Sequence, residues 1–175
     1  MTTQETVLWI GVIVTINSLL ITLLNYRLQK RAENRRSLVE HMTLYYSPEI
    51  QSGTARLWQL YRDSNNDLDT FLQKYIDIWK DEENNNMPIN ERLHYLRRRV
   101  EYFWRVLGIL MMHGLIPRHI VYNWLAQDDV DIVDRFLISL ENRISRRIGV
   151  AELKPEIDPL YWVARNKHRF YRTTK

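Results

Sequence analysis

The chain has no cysteine, which removes disulfides, thiolate metal sites and a cysteine nucleophile from consideration. Its five glycines stand apart, at 11, 53, 108, 114 and 149, so neither a Walker loop nor a dinucleotide fingerprint can be built. No His-x-x-x-His or His-Glu-x-x-His pair exists for zinc, and no metal or cofactor is expected. The acid pairs Asp81-Glu82 and Asp128-Asp129 fall in a loop or at a helix start, where carboxylates serve the helix dipole and water rather than a catalytic dyad. There is no internal repeat.

Charge is absent from one long stretch, Val7 to Tyr26, twenty residues that would cover about 30 Å as a helix, the thickness of a bilayer's hydrocarbon core. A cleaved signal peptide fits less well, because Met1 to Thr6 carry an acid and no Lys or Arg, and no small-x-small cleavage site follows. A permanent N-terminal anchor is therefore expected. Arg27, Lys30, Arg31, Arg35 and Arg36 come directly after it, opposed only by Glu33, which places the following domain in the cytoplasm and residues 1–6 outside. Trp9 and Tyr26 suit the two interfaces.

Within this run Gly11, Thr15, Ser18, Thr22 and Asn25 are spaced four, three, four and three apart, and Gln29 continues the series. At about 100° per residue they share a narrow arc of one helix face. Polar groups in lipid must face protein or water. Two arrangements satisfy that: close packing of helix on helix, or several copies ringed around a hydrated lumen lined by these residues. Either requires self-association or a membrane partner.

The rest of the chain reads as helix, since Gly and Pro are few and apolar residues recur at helical spacing. Leu28, Leu38 and Met42 continue the first helix toward Tyr46 as a stiff rod. Ser47-Pro48 supplies a cap and first-turn proline for a helix reaching about Tyr61, with Gly53 inside it. Asp67 caps a helix with Leu68, Phe71, Leu72, Tyr75, Ile76 and Trp79 on one stripe. Residues 81–86 read as a surface loop, and a long helix from Ile89 is closed at His113 by Gly114. Shorter helices are expected at 117–126 and 130–147, the second ended by Gly149. The expected organisation is 1–6 extracytoplasmic, 7–26 transmembrane, 27–46 a basic juxtamembrane helix, 47–149 a cytoplasmic helical bundle, and 150–175 a basic aromatic segment. Net charge is +4, concentrated in the juxtamembrane segment, the Arg97–Arg99 run and the tail from Arg165, which has five bases and no acid. Arg27, Lys30, Arg31, Arg35, Arg169 and Arg172 are candidates to contact anionic lipid or RNA.

Two Arg/His groupings remain as candidate sites. Arg36-Ser-Leu-Val-Glu-His41 has the Arg-x4-His form of HEPN ribonucleases, and Arg165-Asn166-Lys-His168 keeps an Arg-Asn start with a shorter interval. Such sites cleave RNA without metal, an imidazole moving protons while a guanidinium stabilises phosphate charge. Solvated or headgroup-facing residues are the plainer interpretation.

In size, single N-terminal anchor, lack of cysteine, helical domain and these two partial motifs, the chain resembles the small membrane accessory proteins of type VI-B CRISPR loci, which carry a divergent HEPN domain. The resemblance implies an all-α fold and a homo-oligomeric inner-membrane pore that depolarises the cell. It also implies antiviral action beside an RNA-guided RNA nuclease. Ser37 stands where a strongly polar residue is usual, and the interval from Arg165 to His168 is short. Arg36, His41, Arg165, Asn166 and His168 are therefore expected to join subunits or sense RNA rather than cut it.

Overall fold

The computed structural model describes residues 3–171, with side chains from Ser18 onward. Gly11, Thr15 and Arg172 thus lie outside the described side chains, as does the uncharged run up to position 17. The described chain is an all-helical bundle without a strand.

The first helix, α1 (Thr3–Tyr45), runs 43 residues without a break, a rod of about 65 Å at 1.5 Å per residue. Among its described side chains, those of the last turns meet the bundle. Residues 18–33 are exposed throughout, and Leu38 is the first buried side chain. Among the described residues no helix is long and apolar enough to cross a membrane.

Helix α2 (Pro48–Asp63) starts where expected, with Ser47 Oγ accepting from the Ile50 amide and Pro48 in the first turn. Ile50, Gly53, Leu57 and Leu60 form its buried stripe. Gly53 is what lets α2 lie tightly on α4 (Leu93–Met112): a Cβ there would stand 2.8 Å from Val100 Cγ2 and 2.9 Å from the Leu96 carbonyl oxygen. Helix α3 (Leu68–Asn84) is capped by Asp67, whose carboxylate accepts from the Thr70 amide at 2.8 Å.

The segment 81–86 differs from the expected surface loop, because α3 continues to Asn84 and turns Glu82 inward. The Glu82 carboxylate accepts from the amides of Leu93 (2.6 Å) and His94 (3.3 Å) and so caps α4 from across the loop. Free N–H groups at a helix start need such an acceptor. A short 3-10 turn, Ile89–Glu91, precedes α4.

Helix α4 occupies the centre, touching α1, α2, α3 and the C-terminal helix α8 (Pro159–Arg165). Leu96, Val100, Phe103, Trp104, Leu107 and Met111 bury much of its circumference. It ends at Gly114, which takes the left-handed φ of 64°. Helices α5 (Arg118–Trp124), α6 (Gln127–Ile132) and α7 (Ile138–Ile148) follow. Between α6 and α7 the chain makes one wide π turn, Val133–Leu137, from which Phe136 enters a cage of Trp58, Tyr61 and Phe71 with centroids 4.9, 5.5 and 5.1 Å away. Gly149, at φ 72°, terminates α7.

The last segment folds back on the bundle. Pro159 packs on Gly108, where a Cβ would lie 2.7 Å from the Pro159 carbonyl oxygen. Phe170 is buried, and Tyr171 joins Ala126 in an isolated bridge.

Candidate functional site

The base of α1 is locked by specific groups. With its amide nitrogen turned toward acceptors, Asn34 donates to the Leu115 carbonyl at 2.9 Å. His41 stacks on Phe103 with centroids 4.5 Å apart and planes 7° from parallel, and its Nε2 lies 3.1 Å from the Phe103 carbonyl oxygen. A carbonyl only accepts, so this nitrogen carries the proton. The Tyr45 hydroxyl donates to Asp129 at 2.8 Å, and the Tyr46 hydroxyl accepts from Trp124 Nε1 at 3.2 Å. Burial, followed by the Asp129 charge, pushes the Tyr45 phenol well above its usual range, so it remains a donor.

This geometry sets the chemistry open to the Arg/His groupings. Burial lowers the His41 pKa to about 4, against the smaller opposing effect of its backbone hydrogen bond. The ring is neutral at pH 7, and a base so weak is poorly matched to proton transfer there. Arg36 turns away to Glu40, at 2.9 Å on an exposed helix face. The shallow groove of about 280 Å³ that reaches His41 is lined by Ser37, Glu40 and Tyr102 along with apolar residues, and no guanidinium lines it. Arg36 and His41 are therefore not brought together as a phosphate-cleaving pair within one chain.

The C-terminal grouping is likewise dispersed. Arg165 and His168 are exposed, while the Asn166 amide donates to the Trp162 carbonyl at 2.8 Å and its backbone closes α8. Lys167 between them pairs with Asp131 and, at 3.5 Å, with Asp134. No hydrogen bond or ion pair among the described residues joins His41 to Arg165, Asn166 or His168. Arg27, Lys30, Arg31, Arg35 and Arg169 are all exposed. Among the described residues no group of His and acidic side chains could hold a metal ion.

The exposed part of α1 is the most unusual surface of the molecule. Leu19, Leu20, Ile21, Leu23 and Leu24 are each about half exposed or more, although all are apolar. At 100° per residue they spread over more than half of the helix circumference, and Ser18, Thr22 and Asn25 fall together in the remaining arc. Thr22 donates its hydroxyl to the Ser18 carbonyl at 2.8 Å, the same local back-bond that Thr43 makes to the Val39 carbonyl at 2.9 Å.

One interior polar system escaped sequence reasoning. Arg97, 2% exposed, pairs with Glu101 at 3.1 Å and with Glu141 of α7. Glu101 also pairs with Arg105, which reaches Asp158 before α8 at 2.7 Å. Burial works against the Arg105 charge, but the Glu101 and Asp158 carboxylates outweigh it and raise its pKa. The sequence signal was present in the four-residue spacing of Arg97, Glu101 and Arg105, which places them on one helix face.

Comparison with protein-family models, with curated proteins and with solved structures finds no match to this chain.

Proposed function

We propose that this chain is a single-pass membrane protein whose copies assemble through α1 into an inner-membrane pore, with the bundle on the cytoplasmic side. The observation that supports this most is the described stretch of α1 from Ser18: Leu19, Leu20, Ile21, Leu23 and Leu24 spread over more than half of the helix circumference and stay about half exposed or more. Burying such surface is worth about 25 cal/mol per Å², so an environment that covers it is strongly favoured. Lipid suits the apolar arc, and a neighbouring copy or a hydrated axis suits the arc of Ser18, Thr22 and Asn25. The span itself is taken from the uncharged sequence 7–26, most of which precedes the described side chains. The basic residues that follow set the orientation.

The resemblance to type VI-B accessory proteins supplies the setting. In that setting the pore depolarises the inner membrane when an RNA-guided RNA nuclease is activated, as part of antiviral defence. The chain acts there through assembly and ion flow, and the neutral, core-bound His41 speaks for a structural role at that position.

Membrane potential and particle size, measured together, test the proposal. Cells carrying the full chain and an activated nuclease should depolarise, and the detergent-solubilised particle should contain several copies. Thr22→Leu should preserve the oligomer and reduce depolarisation, because an apolar ring dewets a narrow lumen. A monomeric particle, or unchanged depolarisation with Thr15, Ser18 and Thr22 all replaced by Leu, would sink the pore.

A further inference from the structure

An open cleft of about 430 Å³ lies between α3 and α7, lined by Gln73, Ile76, Lys80, Arg143, Arg146 and Arg147. Four of these six side chains are cations, and no carboxylate lines the cleft. We propose that this cleft binds a small ligand through its phosphate groups, of the size of a nucleoside polyphosphate. The proposal is independent of the membrane reading.

The argument starts from spacing. Arg143, Arg146 and Arg147 stand at i, i+3 and i+4 on α7, so they share one face, where like charges repel. Basic residues in a last turn favour the helix dipole, and that accounts for Arg146 and Arg147 taken alone. It does not account for Lys80, which α3 presents to the same cleft. Nor does the chain neutralise the group. Arg146 meets Glu152 at 3.2 Å and Lys80 meets Asp77 at 3.9 Å, both pairs in solvent, while Arg143 has no acidic partner among the described residues.

Part of the site is held in place before any ligand arrives. The Arg147 guanidinium sits 5.4 Å from the Trp79 ring centroid, and Trp79 in turn stacks on His94 with centroids 4.3 Å apart. Ile76, buried, contributes an apolar wall. Guanidinium forks match phosphate oxygens in bidentate fashion, whereas a single carboxylate would leave most of this charge unmet. The volume falls in the range of small-ligand pockets, about 300–1,000 Å³. A nucleic-acid strand would instead require a cationic track several nucleotides long. A phosphorylated small molecule is thus the occupant that charge and size favour.

Titration calorimetry on the detergent-solubilised full chain, with ATP, inorganic tripolyphosphate and a ten-nucleotide RNA as probes, tests the assignment. ATP and tripolyphosphate should bind and compete with each other, and both should weaken as salt is raised. Arg143→Gln or Lys80→Gln should weaken both by about tenfold or more, the loss of one charge-assisted contact. Arg62→Gln, an exposed cation on α2, should change neither. A melting curve guards against misfolding: without ligand, Arg143→Gln should melt at or above the temperature of the parent chain, because a like charge has been removed, while the ligand-induced rise disappears. No binding of either probe, binding indifferent to Arg143 and Lys80, or failure of tripolyphosphate to compete with ATP would overturn the phosphate site. RNA that binds more tightly per phosphate and displaces ATP would overturn the small-ligand assignment in favour of a nucleic-acid surface.

Discussion

His41 and His94 illustrate how a single residue's surroundings become a property of the whole chain. Both have pKa values lowered from 6.5 to about 4, in each case by burial first, and for His94 also by the charges of Arg97 and Arg98. Above pH 6.5 both are neutral in the folded and unfolded chains, and neither gives pH dependence. Between 6.5 and 4 the unfolded chain takes up protons that the folded chain refuses, so stability falls as the pH falls, and it levels off below about 4. Chemical denaturation from pH 7.5 to 4 should show this loss. Replacing His41 by Gln, which has no proton to gain, should flatten the part due to that residue. His94, lowered to the same value, contributes a like share. At the same scale, Gly53→Ala should destabilise by about 1–3 kcal/mol in denaturant melts, because the overpacking at Leu96 and Val100 exceeds the roughly 1 kcal/mol that Ala gains over Gly in a helix. Sequence reasoning noted Gly53 as an oddity within α2, and could not supply its purpose, since that lies on another helix.

Among the elements, α4 combines the most roles. Its apolar periodicity was readable from the sequence, as were its end at Gly114 and the caps of α2 and α3, because these depend on residues within one turn of each other. In the sequence the run Arg97–Arg99 is legible only as a concentration of positive charge, with nothing to tell its three members apart. Three successive residues sweep about 200° of a helix, so on a central helix one of them must face inward. That one is Arg97, held by Glu101 and Glu141. Arg97→Met should cost about 3–5 kcal/mol, the penalty for stranding buried carboxylates. Adding Glu101→Gln and Glu141→Gln to Arg97→Met should restore much of the loss. Equal stability of the single variant and the parent in urea melts would mean that the ion network contributes nothing to holding α7 and α8 on α4. The π turn at 133–137 had no visible sign, since no Gly or Pro interrupts the sequence there.

At the scale of the molecule, the bundle and the rod separate cleanly. Among the described side chains, contacts from α1 to the bundle begin at Asn34 and are carried by Leu38, His41, Tyr45 and Tyr46, whereas 18–33 are exposed. A chain starting at residue 34 should therefore keep the melting temperature of the bundle within a few degrees, and it should lose membrane association and the oligomer together. Circular-dichroism melts, cell fractionation and light scattering check the three outcomes. Collapse of the bundle on truncation would show that the exposed part of α1 stabilises the fold.

Sequence by itself determined what depends on near neighbours and on composition: a helical chain, its caps and stops, the lack of cysteine, and an uncharged run with positive charge after it. Local hydrogen bonding and helical periodicity dictate these, and both act over a few residues. The tertiary structure decided which polar residues are spent on holding the fold. It put His41 in the core against Phe103 and sent Arg36 outward to Glu40, so the paired motif is divided across two environments. It carried Glu82 to the start of α4, buried Arg97, and set Lys80 of α3 opposite three arginines of α7. Each of these depends on which helices become neighbours. That is settled by the packing of whole faces, and no short stretch of sequence records it.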